Sequence, residues 1–212
     1  MHKKLRFLFL SGAFLFLFYL FSRLAKRDVF TQFDFDWMVK IQDRIPQSAN
    51  NLFEFLGMTA RFEVIVLVLL VLVVVLTLKR KFFSFLIFIP LFLAHLFEIY
   101  GKSVLNHPGP PMHFLRDKAL DIFPKWYAHP GSSYPSGHSM RIVFLALIVG
   151  FLIYASKKFD LRRRVLILSL IAFYAIVVLL SRMVLGEHWP TDVIGGTLLG
   201  LAFGFLALVF LR

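Results

Sequence analysis

Six stretches of this chain, at about residues 5–24, 60–78, 82–100, 139–156, 164–181 and 192–211, are each apolar over close to a bilayer-spanning length. A helix needs about 20 such residues to cross a membrane. In hydrocarbon every backbone N–H and C=O must be paired within the protein, so a spanning segment is either a helix or a strand of a closed barrel. None of these stretches alternates polar with apolar residues, which excludes the barrel. The sequence therefore predicts an all-α polytopic membrane protein, six transmembrane helices in one bundle, with residues 1–212 forming a single domain. Hydrophobic residues make up 59% of the chain, above the about 45–50% usual in soluble domains. Lys and Arg outnumber Asp and Glu by 24 to 12. A nucleic-acid binder can share that imbalance, but bilayer-length apolar segments exclude nucleic acid as the partner. The absence of cysteine excludes disulfide scaffolds, Cys-ligated zinc, iron–sulfur clusters and thiol catalysis.

The stretch Leu5–Phe21 is long for a signal-peptide core, and Ser22-Arg23-Leu24-Ala25-Lys26-Arg27 offers no small-residue cleavage site. It is expected to remain as the first span. Basic residues cluster at Lys3, Lys4 and Arg6, at Lys79-Arg80-Lys81, at Lys157, Lys158 and Arg162–Arg164, and at Arg212. Short basic connections stay in the cytoplasm. Both termini are thus expected to be cytoplasmic, with the long segments 25–59 and 101–138 facing outward.

Within the first long segment, Phe33, Trp37, Ile41 and Ile45 recur every fourth residue, and Pro46 follows. That pattern suits a helix lying in the membrane interface or packed across the bundle mouth. Pro90 is expected to kink the third span or to leave a carbonyl for a neighbour to satisfy. Gly196, Gly200 and Gly204 share a face of the last span and read as a packing stripe. Segment 101–138 holds Pro108, Pro110, Pro111, Pro124, Pro130 and Pro135 together with His107, His113, His129 and His138. So long a loop is functional or disordered, and its aromatic and histidine content favours an ordered, functional one.

Three short patterns fall at span ends that this topology places on one membrane face. They are Lys102 with His107-Pro108-Gly109-Pro110, then Pro135-Ser136-Gly137-His138, then Ser181-Arg182 with His188 and Asp192. Together they form a kit for a phosphoryl group, whose equatorial oxygens need fixed donors. Lys102 offers a point charge and Arg182 a planar fork. Ser136 and Gly137, read as preceding a helix, offer backbone N–H groups and the helix dipole to an anion. One histidine can attack phosphorus while the other protonates the leaving oxygen. His188 and Asp192 share a face if the last helix begins early enough, and Asp192 then holds the imidazole in its attacking tautomer. His95 and Glu98 lie one turn apart near the end of the third span and are placed to line the site. Glu187 has no role readable from sequence.

These patterns resemble the type 2 phosphatidic acid phosphatase (PAP2) superfamily of six-helix lipid phosphatases. Pro135-Ser136-Gly137-His138 matches its second signature, and Ser181, Arg182, His188 and Asp192 match its third. The resemblance implies His188 as nucleophile forming a phosphohistidine, Asp192 as its orienter and His138 as general acid. It implies Lys102, Ser136, Gly137 and Arg182 as phosphate ligands, with no metal and no cofactor. The implied substrate is a lipid phosphate or diphosphate in the bilayer, with no obligate protein partner. The first signature departs: the chain has Gly109-Pro110 where the family has Arg-Pro. Arg141, one helical turn beyond His138, is the leading substitute, ahead of Arg116 and His107. A lipid phosphotransferase using the same histidine and a non-catalytic lipid-binding relative are the alternative readings.

Overall fold

Leu, Val, Ile and Phe fill the long apolar stretches, and in a bilayer such residues take the helical form because it alone pairs every backbone group within one segment. The computed structural model describes residues 2–116 and 132–211. His129, Pro124, Pro130 and Arg212 lie outside the described residues. The described residues form α1 (His2–Ala25), α2 (Thr31–Arg44), α3 (Asn50–Met58), α4 (Phe62–Leu78), α5 (Phe88–Val104), α6 (Gly137–Ala155), α7 (Leu161–Val184) and α8 (Pro190–Leu208). They contain no strand, as the sequence requires.

Lys4–Ala25, Phe82–Val104, Gly137–Ala155, Leu161–Val184 and Pro190–Leu208 are each long and apolar enough to cross a membrane. The span expected at 60–78 is α4, 17 residues long, and it joins the preceding helical segment at a bend. Segments Gln47–Met58 and Phe62–Leu78 form a pair bent by 48°, which counts as one broken span or a re-entrant arrangement. Large apolar side chains on the outer surface, such as Phe9 at 75% and Phe173 at 66% exposure, suit contact with acyl chains rather than water. Pro90 does not kink α5. Phe82–Ile87 is a 3-10 turn and α5 starts at Phe88, so Pro90 falls in the first helical turn, where its missing N–H costs nothing.

The central helix is α8, which packs against α1, α5 and α6. Its glycine stripe allows this approach: a Cβ at Gly196 would overlap the Ser136 carbonyl, one at Gly200 would come 2.5 Å from the Met140 carbonyl oxygen, and one at Gly204 would press on Leu147. Close packing of backbones is what such a stripe provides between membrane helices. The amphipathic segment of 33–45 forms α2 and packs across the bundle mouth, against α7 and α8. Asp34, Met38 and Gln42 are its buried face.

Candidate active site

The C-termini of α5 and α7 and the N-termini of α6 and α8 meet at one end of the bundle, beneath α2, α3 and the segment 105–116. This roof is fastened by side-chain hydrogen bonds to backbone. Gln42 Nε2 donates to the carbonyls of Phe114 (2.8 Å) and Val184 (3.0 Å). The Arg116 guanidinium donates to the carbonyls of Ile45 (2.8 Å) and Gln42 (2.7 Å) at the end of α2. Trp189 Nε1 donates to the Pro108 carbonyl at 2.9 Å. Gly186, with φ +74°, passes so close to the Phe114 carbonyl that any Cβ would overlap it. That position combines left-handed backbone with close approach, so it requires glycine.

His188 precedes α8, which starts at Pro190. The two residues expected to share a helical face therefore meet differently. Asp192 lies in the first turn and its carboxylate reaches back, accepting the Trp189 backbone N–H at 2.9 Å while its Oδ2 sits 3.3 Å from His188 Nδ1. A carboxylate is favoured there by the free N–H groups and dipole of the helix start. The contact ties Nδ1 of His188 and leaves its Nε2 as the free nitrogen. Asp192 is fully buried, whereas His188 is partly exposed.

Ser136 is the N-cap of α6, its Oγ accepting from the Ser139 backbone N–H (3.4 Å) and hydroxyl (3.0 Å). Gly137 is thus the first residue inside the helix, not a residue before it, and α6 begins two residues ahead of the expected 139. The Ser136 N–H donates to the Asp192 carbonyl at 3.0 Å, which locks the starts of α6 and α8 together. His138 follows on the first turn, partly exposed, within electrostatic range of Arg182, Arg141, His188 and Lys102. Both candidate histidines, the orienting carboxylate and the three candidate cations therefore converge.

Each cation already has a carboxylate. Glu98, 4% exposed on α5, accepts from Lys102 Nζ at 2.8 Å, contacts His95 Nδ1 at 3.1 Å and lies 3.5 Å from Arg141 Nη1. A Cβ at Gly137 would overlap the same carboxylate, so Glu98 sits against the α6 N-terminus. Arg141 also donates from Nε to the Ala60 carbonyl at 2.9 Å. Arg182 is held by Glu187 and by the Ser181 hydroxyl (3.0 Å), under Gly57 of α3, whose Cβ would overlap the guanidinium.

Of the sequence candidates for the residue replacing the absent arginine, Arg141 reaches the cluster. Arg116 instead fastens the end of α2, and His107 turns to the carboxylates of Asp34 and Asp192. A side chain at Gly109 would meet nothing closer than Ser133 Cβ at 3.6 Å, so crowding is not what sets glycine there. His113 is exposed beside Phe114. Sequence reasoning missed Glu187 and Asp34. Asp34 Oδ1 accepts from the backbone N–H (2.8 Å) and hydroxyl (2.6 Å) of Thr191, which pins α2 to the start of α8. Burial raises the Asp34 pKa above the usual carboxylate value, and the Asp192 charge raises it further. The Thr191 hydrogen bonds and His107 oppose that shift. Glu98 had a readable signal, since it stands three residues after His95 and four before Lys102 on one helix.

Fold and site together define a multi-pass helical membrane protein whose paired histidines and basic residues meet at one end of the bundle. The sequence profile of the PAP2 superfamily matches residues 81–212, and the chain belongs to that superfamily. The fold resembles the crystal structure of the first transmembrane PAP2 type phosphatidylglycerolphosphate phosphatase from Bacillus subtilis, with a TM-score of 0.75 at 17% identity over 94% of each chain. It also resembles Aquifex aeolicus LpxE, with a TM-score of 0.59 at 21% identity over 82% of this chain and 93% of that one. Among curated relatives, Phosphatidylglycerophosphatase B of Escherichia coli (strain K12) is 35% identical over 77 residues, which is 36% of this chain and 28% of that protein. Its namesake in Bacillus subtilis (strain 168) is 34% identical over 74 residues, 35% of this chain and 36% of that protein. The chain thus matches about a third of the length of these relatives.

Proposed function

We propose that this protein is a metal-independent lipid phosphate phosphatase that works through a phosphohistidine on His188. The observation that carries the reading is the meeting of the His188–Asp192 pair with His138, Lys102, Arg141 and Arg182 at one end of the bundle. His188 Nε2 attacks phosphorus, and the P–N bond forms as the bond to the leaving oxygen breaks. His138 gives that oxygen its proton. Water then attacks the phosphohistidine, His138 takes a proton from the water, the P–N bond breaks and inorganic phosphate leaves. The cations and the α6 N-terminus supply the positive charge that the transferring group requires. Here Arg141 stands in for the arginine absent at Gly109.

The basic connections at 79–81 and 157–164 lie at the opposite end from the site, which supports cytoplasmic termini and an outward-facing site. A lipid tail then stays between helices while its phosphate meets the site at the interface. Phosphatidylglycerophosphate and undecaprenyl diphosphate are the substrates proposed, the first supported by the names of the curated relatives and the second by the outward site. The test is phosphate release from each lipid in detergent with EDTA, wild type beside His188→Ala. Release by the wild type alone is expected. Release by neither protein, with both folded, would refute hydrolysis and leave the transferase or non-catalytic reading.

A further inference from the structure

Asp192 uses one carboxylate oxygen for His188 and the Trp189 N–H, and its other oxygen, Oδ1, has no hydrogen-bond partner although it is buried. Oδ2 of Asp34 is in the same condition, as are both ring nitrogens of His107. Three of these atoms converge: His107 Nε2 lies 3.6 Å from Asp192 Oδ1 and 3.8 Å from Asp34 Oδ2. Such distances are electrostatic contacts rather than hydrogen bonds. His107 is 7% exposed.

We propose that His107 is a positioning residue, which bridges the Asp34 and Asp192 carboxylates so that Asp192 stays available to His188. The inference rests on His188 being the nucleophile. Two carboxylates that share a buried site cannot both ionise readily without a cation between them. Asp34 Oδ1 accepts from the backbone N–H and the hydroxyl of Thr191, and these bonds favour its charged form. His107 Nε2, which faces both carboxylates, stands where a positive charge would serve the two at once. With Asp192 protonated instead, its carboxyl would no longer fix the His188 tautomer, the arrangement that a nucleophilic or general-base histidine needs.

The backbone around His107 is built to keep the ring there. Asn106 has φ +47°, a left-handed conformation that asparagine tolerates. The His107 carbonyl accepts from the Ser133 N–H at 2.8 Å, and the next carbonyl, of Pro108, accepts from Trp189. The Tyr134 ring meets the imidazole edge-on at 6.1 Å. The titratable groups facing His107 are therefore Asp34 from α2, Asp192 from α8 and Tyr134 ahead of α6, with His188 beyond Asp192. Burial raises the Tyr134 pKa above the ordinary phenol value, so it stays neutral and adds no charge to this group.

The test is phosphate release from phosphatidylglycerophosphate and undecaprenyl diphosphate across about pH 5 to 9, the range in which histidine changes charge. Wild type, His188→Ala, His107→Gln, Asp34→Asn and the His107→Gln/Asp34→Asn double variant are compared. His107→Gln is expected to lose about 10–100-fold in kcat, the scale typical of orienting partners, with KM little changed. The acid limb of its kcat/KM profile moves to higher pH. Adding Asp34→Asn removes the competing charge and restores most of the loss, which repair of a packing defect would not do. Undiminished kcat in His107→Gln, or a loss that Asp34→Asn leaves in place, overturns the proposal. If His107→Gln does not fold, Asp34→Asn alone decides. An acid limb moved to lower pH supports the bridge, and an unmoved limb refutes it. Activity retained by His188→Ala would instead refute the nucleophile assignment, and with it this inference.

Discussion

Replacing Glu98 by glutamine tests whether this carboxylate is the resident counterion of the phosphate site. Glu98 is buried against Lys102 (2.8 Å), His95 (3.1 Å) and Arg141 (3.5 Å). Glutamine keeps the shape and an acceptor for Lys102 but removes the charge. Breaking a buried ion pair from one side costs about 3–5 kcal/mol, because the partner charge is left uncompensated. Lys102 is partly exposed and keeps an acceptor, which puts the cost near about 3 kcal/mol, the lower end of that range. At about 2–4 °C per kcal/mol for a chain of this size, Glu98→Gln is expected to melt about 6–12 °C below wild type in detergent. Vanadate, which mimics a phosphoryl group in flight, returns negative charge to the same cations. A hundredfold tighter vanadate affinity in the variant would recover about 2.7 kcal/mol. The melting gap between variant and wild type should therefore nearly close at saturating vanadate. Equal melting temperatures without vanadate, or a gap that vanadate leaves unchanged, would refute the counterion reasoning.

Four further outcomes are expected. Gly57→Ala puts a methyl group onto the Arg182 guanidinium and should lower kcat/KM about 10²–10³-fold, as loss of one transition-state donor does. Gly12→Ala meets nothing within 4 Å and should leave phosphate-release kinetics unchanged. Gly200→Val drives its side chain against the Met140 carbonyl and Val143. It should destabilise by about 1–3 kcal/mol, the usual cost of overpacking, read as a lower detergent melting temperature. Asp34 has its pKa raised by burial, so the folded protein holds that proton more tightly than the unfolded chain. The stability it lends is full below the unfolded value of 3.8 and is lost as pH rises through the higher folded value. Melting temperature should therefore fall less between about pH 4 and pH 7 in Asp34→Asn than in wild type. An equal or steeper fall in the variant would contradict the shift.

The spans were legible because the bilayer fixes their length and composition, and only a helix satisfies their backbone. Helix starts were less so. α6 and α8 begin two residues early because Ser136 and Asp192 satisfy the free N–H groups, and capping depends on side chains that hydropathy does not weigh. Within the candidate site, close spacing in the sequence made two pairs legible: His95 with Glu98 on α5, and His188 with Asp192 across the start of α8. Those joined by tertiary packing were not legible. Asp34 meets Thr191 at a separation of 157 residues, and Gln42 meets Val184 at 142.

Those long-range contacts bear on how the family match is read. The superfamily profile covers 81–212, yet Asp34, Gln42, Gly57 and Ala60 lie before it and touch the site or its roof. Asp34 holds Thr191, the residue next to Asp192, Ala60 accepts from Arg141, and Gly57 leaves the room that Arg182 fills. The signature residues meet at one end of the bundle, and α2 and α3 contact several of them. Under the proposed mechanism, the pH response is expected to depend on residues 31–60 as well as on the signatures. Relatives that share the second and third signatures but differ across residues 31–60 are expected to differ in pH response.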